Sequence, residues 1–207
     1  DPARVHVVRA GVDTQRFRPG RAPLALPTEK SFKFLFVGGT LPRKGIAVLL
    51  EAYGGAFTRA DDVTLVLKDS GGASFYQGQT LAARIAAFRA QPGAPEVIHL
   101  ERELTDADMP ALFASCDAYV HPYLGEGFGL PIAEAMACGK PVVVTNHGAA
   151  LDFCDASNAW LVPAREVRHH EARIGDLETV ERPWYAEPDV DALVAILREL
   201  AARPASL

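Results

Sequence analysis

The sequence predicts an α/β protein built on a doubly wound parallel sheet, and three observations carry that reading. Short runs rich in β-branched and aromatic residues recur along the chain, segments of helical periodicity fall between them, and two of the runs are apolar at successive positions. A strand that is apolar on both sides must be covered on both faces, and strand–helix alternation supplies that cover.

The strand runs fall at residues 34–37, 63–67, 97–100, 118–120, 142–145 and 160–162. The first run, and the fifth up to its closing Thr145, are apolar at successive positions. Between them Ile46, Leu49, Leu50, Tyr53 and Phe57 form one helical stripe. Met109, Leu112, Phe113 and Cys116 form another, opened by Thr105 as N-cap with Asp108 three residues later. Val190, Leu193, Val194, Leu197 and Leu200 form a third near the C-terminus. Two stretches break the pattern. Residues 18–31, rich in Pro, Arg and Ala, read as a surface connection. Residues 164–187, with His169-His170 and Arg182-Pro183-Trp184, read as an inserted loop without a clean period.

Composition bounds the function classes. A chain of 207 residues holds one domain with a sizeable core. The apolar runs are too short to span a bilayer, and the start Asp1-Pro2-Ala3-Arg4 lacks the pattern of a signal peptide, so a cytoplasmic location is expected. A net charge of -5 excludes a broad basic face for nucleic acid. Cys116, Cys138 and Cys154 are scattered without metal-ligand spacing and read as reduced thiols; no metal or bound cofactor is expected.

Ligands of open parallel sheets lie outside the carboxyl ends of the strands, and two loops at such positions stand out. After the first strand comes Gly38-Gly39-Thr40-Leu41-Pro42-Arg43-Lys44-Gly45. Adjacent glycines admit a close backbone approach, and Arg43 and Lys44 can neutralise phosphate. The spacing is neither a dinucleotide fingerprint nor a P-loop, and alone it is equally a turn with a solvated basic pair. The second loop is Gly125-Glu126-Gly127-Phe128-Gly129-Leu130-Pro131, leading into a helix that carries Glu134. Three glycines in five residues leave amides free to face an anion, and Pro131 suits a first helical turn, so the helix N-terminus offers an anion site. Glu126 in the loop and Glu134 one turn into the helix can face two different polyols. Taken alone, Glu134 is equally a carboxylate complementing the helix dipole.

As one string, residues 126–139 strongly resemble the signature of the retaining GT-B glycosyltransferases of family GT4, which includes sucrose and mannosyl transferases. Gly11-Val12-Asp13 with Phe17 is similar to that family's interdomain segment, Arg43-Lys44-Gly45 to its phosphate-binding turn, and Asp117, His121-Pro122, Gly148 and Asp152 also fit. The resemblance covers residues 5–163. It implies a Rossmann-like C-terminal half of a GT-B fold, with 1–207 a single nucleotide-sugar-binding domain, 1–31 its linker and lead-in, and the acceptor domain missing. Lys44, helped by Arg43, would stabilise the leaving diphosphate. Glu126 would contact the donor sugar and Glu134 the ribose hydroxyls. The amides of Phe128, Gly129 and Leu130, in the loop that Gly127 begins, would hold sugar hydroxyls and phosphate. Gly38, Gly39 and Thr40 would let the backbone approach the ligand, while Lys68 to Ser70 and Leu100, Glu101 and Arg102 would flank the base.

The sequence departs from the family where Thr40 stands for a usual Arg, with Arg43 the candidate substitute, and where Asp152 stands for a common Glu. The implied donor is a nucleoside diphosphate sugar, UDP- or GDP-linked, and the implied partner is the missing acceptor half, through which any peripheral membrane association would run. The isolated domain is expected to bind donor without turnover. A non-catalytic nucleotide-sugar sensor and a GT-B sugar-nucleotide epimerase are the alternative functions.

Overall fold

The computed structural model describes residues 4, 6, 8, 10–70, 79–174 and 177–203. Strands β1 (Phe32–Val37), β2 (Val63–Lys68), β3 (Glu96–Leu100), β4 (Ala118–His121), β5 (Val142–Thr145) and β6 (Trp160–Val162) form one sheet in the order β3-β2-β1-β4-β5-β6. The pairings are all parallel. This is the doubly wound order in which the chain reverses direction across the sheet between β1 and β4, leaving a crevice at their carboxyl ends.

Both faces of the sheet are covered. Along β1 the side chains alternate: Phe34 and Phe36 join the core beneath α1 (Ile46–Ala56) and α5 (Val190–Ala201). Leu35 and Val37 join the core beneath α3 (Asp108–Ala114) and α4 (Leu130–Ala137). Every residue of the first expected stripe is buried, as are Leu112, Phe113 and Cys116 of the second. Thr105 and Asp108 exchange hydrogen bonds as a capping box, Asp108 N to Thr105 Oγ1 at 3.2 Å and Thr105 N to Asp108 Oδ2 at 3.1 Å. Helix α5 starts at Asp189, whose carboxylate accepts from Ala192 N at 2.9 Å, and Arg198 ties it to the carbonyls of Gly55 and Ala56.

Two elements differ from expectation. Helix α2 (Ala82–Arg89) has no counterpart in the sequence pattern because Ile85 is the one residue it buries. The stretch expected as an inserted loop contains β7 (Ala164–Arg168) and β10 (Trp184–Pro188), paired as an antiparallel ribbon, with β8 (Arg173–Ile174) and β9 (Leu177–Glu178) paired beyond it. The ribbon packs inward through Ala186 and Pro188, too small a signal to register as a strand period. Of the connection before β1, Phe17 is buried against Phe113, with ring centroids 5.8 Å apart.

Candidate functional site

The two loops singled out by sequence meet at the β1/β4 crevice. After β1 the chain turns through Pro42–Lys44, a single 3-10 turn closed by Gly45 at φ 78°. After β4 it runs through His121 to Gly129 and enters α4. The loops are stitched by backbone: Leu124 N and Gly125 N both donate to Arg43 O, at 2.8 and 3.3 Å. A third segment joins them, because Ala186 N of β10 donates to Leu124 O at 2.8 Å. The second loop is also anchored to β5, with Thr145 Oγ1 donating to Tyr123 O at 2.7 Å and Tyr123 Oη to His147 O at 2.6 Å. The ribbon thereby walls one side of the crevice, and its Trp184 ring stands edge-on to His147 at 5.0 Å.

At the centre, Lys44 Nζ is ion-paired and hydrogen-bonded to Glu126 Oε2. Arg43 Nη1 lies 4.0 Å from Glu126 Oε1 and 3.3 Å from Gly125 O, with its head half exposed. Glu126 also accepts from Gly127 N at 3.0 Å. Burial alone would raise its carboxyl, but the Lys44 ammonium and the Gly127 amide hold it below the ordinary range. Gly129, at φ 86°, caps α4 and packs on Ile132, Pro131 occupies the first turn, and Ile132 N and Ala133 N donate back to Gly129 O at 2.8 and 3.3 Å. Phe128 leans on Phe153 at 5.1 Å, and Leu130 is exposed. Glu134 sits one turn inside α4, where burial pushes its carboxyl up to about 7 against the opposing charge of Arg16.

Thr40 does not face the crevice with its side chain. It is fully buried, its hydroxyl donating to Asp69 Oδ2 at 2.6 Å and its amide to Asp69 Oδ1 at 3.2 Å. Asp69, just past β2, also meets His99 Nε2 at 3.3 Å and donates its amide to Leu100 O. Lys68 is likewise buried, its ammonium on Asp69 O at 2.5 Å, and burial lowers its pKa. Gly38 N bonds Lys68 O at 3.0 Å, and Leu81 N bonds Thr40 O at 2.8 Å. Glu101 and Arg102, past β3, are exposed. The residues placed by sequence at the base-binding side therefore divide into a buried polar network beneath and exposed side chains above. Asp117 lies at the opposite end of the sheet, accepting from Lys33 N at 2.7 Å and donating to Lys33 O.

Sequence reasoning placed Asp69 within the segment flanking the base and His121 in a His-Pro match to the family, but gave His99 and the His121 side chain no role. His121 is fully buried at the end of β4 with its Nε2 3.9 Å from Glu126 Oε2. Its signal was the His121-Pro122 pair at a strand end, four residues before the first glycine of the loop. A cavity of about 720 Å³ exists elsewhere, lined by Asp62, Asp117, Lys140 and Arg198. It opens at the amino ends of the strands, the wrong end for a ligand of a parallel sheet. Among the described residues no cluster of His, Cys, Asp and Glu is placed to hold a metal ion, and no helix is long and apolar enough to cross a membrane.

Comparison with known proteins places this geometry. The family described as Glycosyl transferases group 1 matches residues 23–192. A D-inositol 3-phosphate glycosyltransferase of Salinispora tropica is 34% identical over 163 residues, covering 72% of this chain and 33% of its own length. An MMP alpha-(1->4)-mannosyltransferase of Mycolicibacterium hassiacum is 31% identical over 180 residues, covering 85% of this chain and 40% of its own. The chain thus spans about a third to two-fifths of the length of these relatives. Among solved structures, the C-terminal domain of a glycosyl transferase group 1 family protein, LpcC, from Francisella tularensis superposes with a TM-score of 0.58 at 20% identity, over 95% of this chain and 93% of that one. HepE of Anabaena, in complex with UDP and glucose, gives 0.58 at 21% identity, over 93% of this chain and 46% of that one. The chain belongs to the glycosyl transferases group 1 family, with the fold of a GT-B C-terminal domain.

Proposed function

We propose that the chain is the donor-binding domain of a retaining glycosyltransferase and that the β1/β4 crevice takes a nucleoside diphosphate sugar. The observation that carries this reading is the Lys44–Glu126 pair set across the crevice, with Glu126 in the loop that leads into the N-terminus of α4. Lys44 and the exposed Arg43 offer two cations to a diphosphate, and the N-terminal end of α4 adds the positive end of its dipole. A site of this kind assists transfer by stabilising charge on the departing nucleotide, while the glutamates orient hydroxyls. Thr40, committed to Asp69, leaves Arg43 as the second cation of the turn. Relatives two to three times longer support an acceptor-binding half supplied outside this chain, so the chain alone binds donor and transfers no sugar.

Calorimetric titration with UDP, GDP and ADP and with UDP-glucose and GDP-mannose tests the reading. One nucleoside diphosphate binds, and its sugar form binds with it. Glu134→Ala weakens free nucleotide and nucleotide sugar alike, whereas Glu126→Ala mostly spares the free nucleotide. The absence of heat with every nucleotide, on folded protein, overturns the reading.

A further inference from the structure

The imidazole of His121 sits among Phe36, Tyr119 and Tyr123, which meet it edge-on at centroid distances of 5.0, 6.0 and 5.6 Å. Its Nδ1 lies 3.2 Å from the Tyr119 hydroxyl. Its Nε2 is buried and, among the described residues, has no hydrogen-bond partner. Buried polar atoms are nearly always satisfied, so an orphan is costly unless some state of the protein uses it. The group it faces is the Glu126 carboxylate, whose Oε2 is 3.9 Å away, beyond bonding range because Lys44 holds it. Burial first, and then the Lys44 charge, depress the imidazole to about 3, so the ring is neutral and carries one proton. The Tyr119 phenol, kept protonated by burial, has one hydrogen and two acceptors in reach, Val37 O at 3.3 Å and Nδ1 at 3.2 Å; given to Nδ1, it selects the tautomer with Nε2–H toward Glu126.

We propose that His121 is a positioning residue for Glu126: when a diphosphate draws Lys44 out of the ion pair, the His121 Nε2–H takes over the carboxylate and keeps it charged and aimed at the sugar. This rests on the donor-site reading. Lys44 cannot serve phosphate and Glu126 equally, and Arg43, half exposed at 4.0 Å, is drawn to the same phosphates. Without a replacement donor, a mostly buried carboxylate would lose its cationic partners upon ligand binding, keep the Gly127 amide, and recover neutrality by taking a proton. A shift of about 1 Å closes the His121 contact to bonding distance. The empty site is thus latched by Lys44–Glu126, and the loaded site by His121–Glu126.

The test is calorimetry of UDP binding to the 207-residue chain in two buffers of different ionisation enthalpy, which counts protons taken up per UDP. Protonation of UDP itself contributes equally to every variant and cancels in the comparison. His121→Phe fits the aromatic surroundings but donates nothing. It takes up about one proton more than the parent chain and binds UDP about ten-fold more weakly. His121→Gln, whose amide nitrogen reaches the Nε2 position, restores both values. Adding Glu126→Gln to His121→Phe abolishes the extra proton. If His121→Phe fails to fold, His121→Asn, too short to reach Glu126, takes its place and shows the same uptake. A folded His121→Phe with the proton count and affinity of the parent chain overturns the inference and leaves the donor site standing. Failure of the parent chain to bind any of UDP, GDP and ADP overturns the donor-site reading and this inference together.

Discussion

Gly45 packs directly against the backbone carbonyl of Pro122, leaving no room for a side chain between the turn after β1 and the loop after β4. A Cβ at position 45 would lie 2.6 Å from the Pro122 carbonyl carbon, and nearer still to its oxygen. The φ of 78° is a second reason for glycine there. Gly45→Ala is expected to push the loops apart and to separate Lys44 from Glu126. The loss is about 2–4 kcal/mol of stability, read as a melting temperature lower by roughly 5–15 °C, together with weaker UDP binding. A variant that melts with the parent chain would show that the loops have slack.

Lys44→Ala removes the cation at the centre of the crevice and leaves the Glu126 carboxylate with the Gly127 amide as its bonded donor among the described residues. A charge-assisted contact to phosphate contributes about 1.5–3 kcal/mol, so UDP affinity falls roughly ten- to a hundred-fold. Uridine, which has no phosphate, loses far less. Equal losses for the nucleoside and its diphosphate in parallel titrations would remove Lys44 from the phosphate site.

Glu134 makes stability depend on pH in a stated direction. Its carboxyl is raised from 4.5 to about 7 in the folded chain, so between those values the folded state holds a proton that the unfolded state has released. Stability therefore falls as pH rises through this window and is flat above it. Glu134→Gln, neutral at all pH, lacks that slope. Urea unfolding at pH 4 and pH 8 is expected to find the variant close to the parent chain at the lower pH and more stable than it at the higher. An unchanged difference between the two pH values contradicts the burial of this carboxyl.

Thr40→Val keeps the shape of a fully buried residue but withdraws the hydroxyl that donates to Asp69. Losing one donor to a buried carboxylate is expected to cost about 2 kcal/mol, lowering the melting temperature by roughly 4–8 °C. UDP affinity changes little, because the Thr40 side chain turns away from the crevice. A ten-fold loss of affinity without a loss of stability would place Thr40 among the ligand contacts instead.

The six strands were legible because each is a short run of residues whose burial the sequence states outright, as in Val142–Thr145, where all four positions are buried. Helix α2 was not, since one buried residue, Ile85, makes no period. The ribbon of β7 and β10 escaped for a related reason: backbone pairing holds it, and its inward positions are Ala186 and Pro188, so side-chain hydrophobicity reports little. At the site, Lys44, Arg43, Glu126 and the glycine loop were readable from residue type and spacing. The inward turn of the Thr40 side chain was not readable, because a sequence does not say which way a side chain points, and Asp69, far along the chain, binds it.

The sequence by itself determined the sheet, the two chemically loaded loops and the family, because apolar periodicity and the string from Glu126 to Gly139 are local properties of the chain. Only the tertiary structure decided that Lys44 would meet Glu126, 82 positions away, and that His121 would stand behind them with an unused nitrogen. Those relationships arise from the strand order, which sets β1 beside β4 and so brings distant loops to one edge. Burial at that edge then decides which polar groups are partnered and which are left waiting for a ligand to rearrange them.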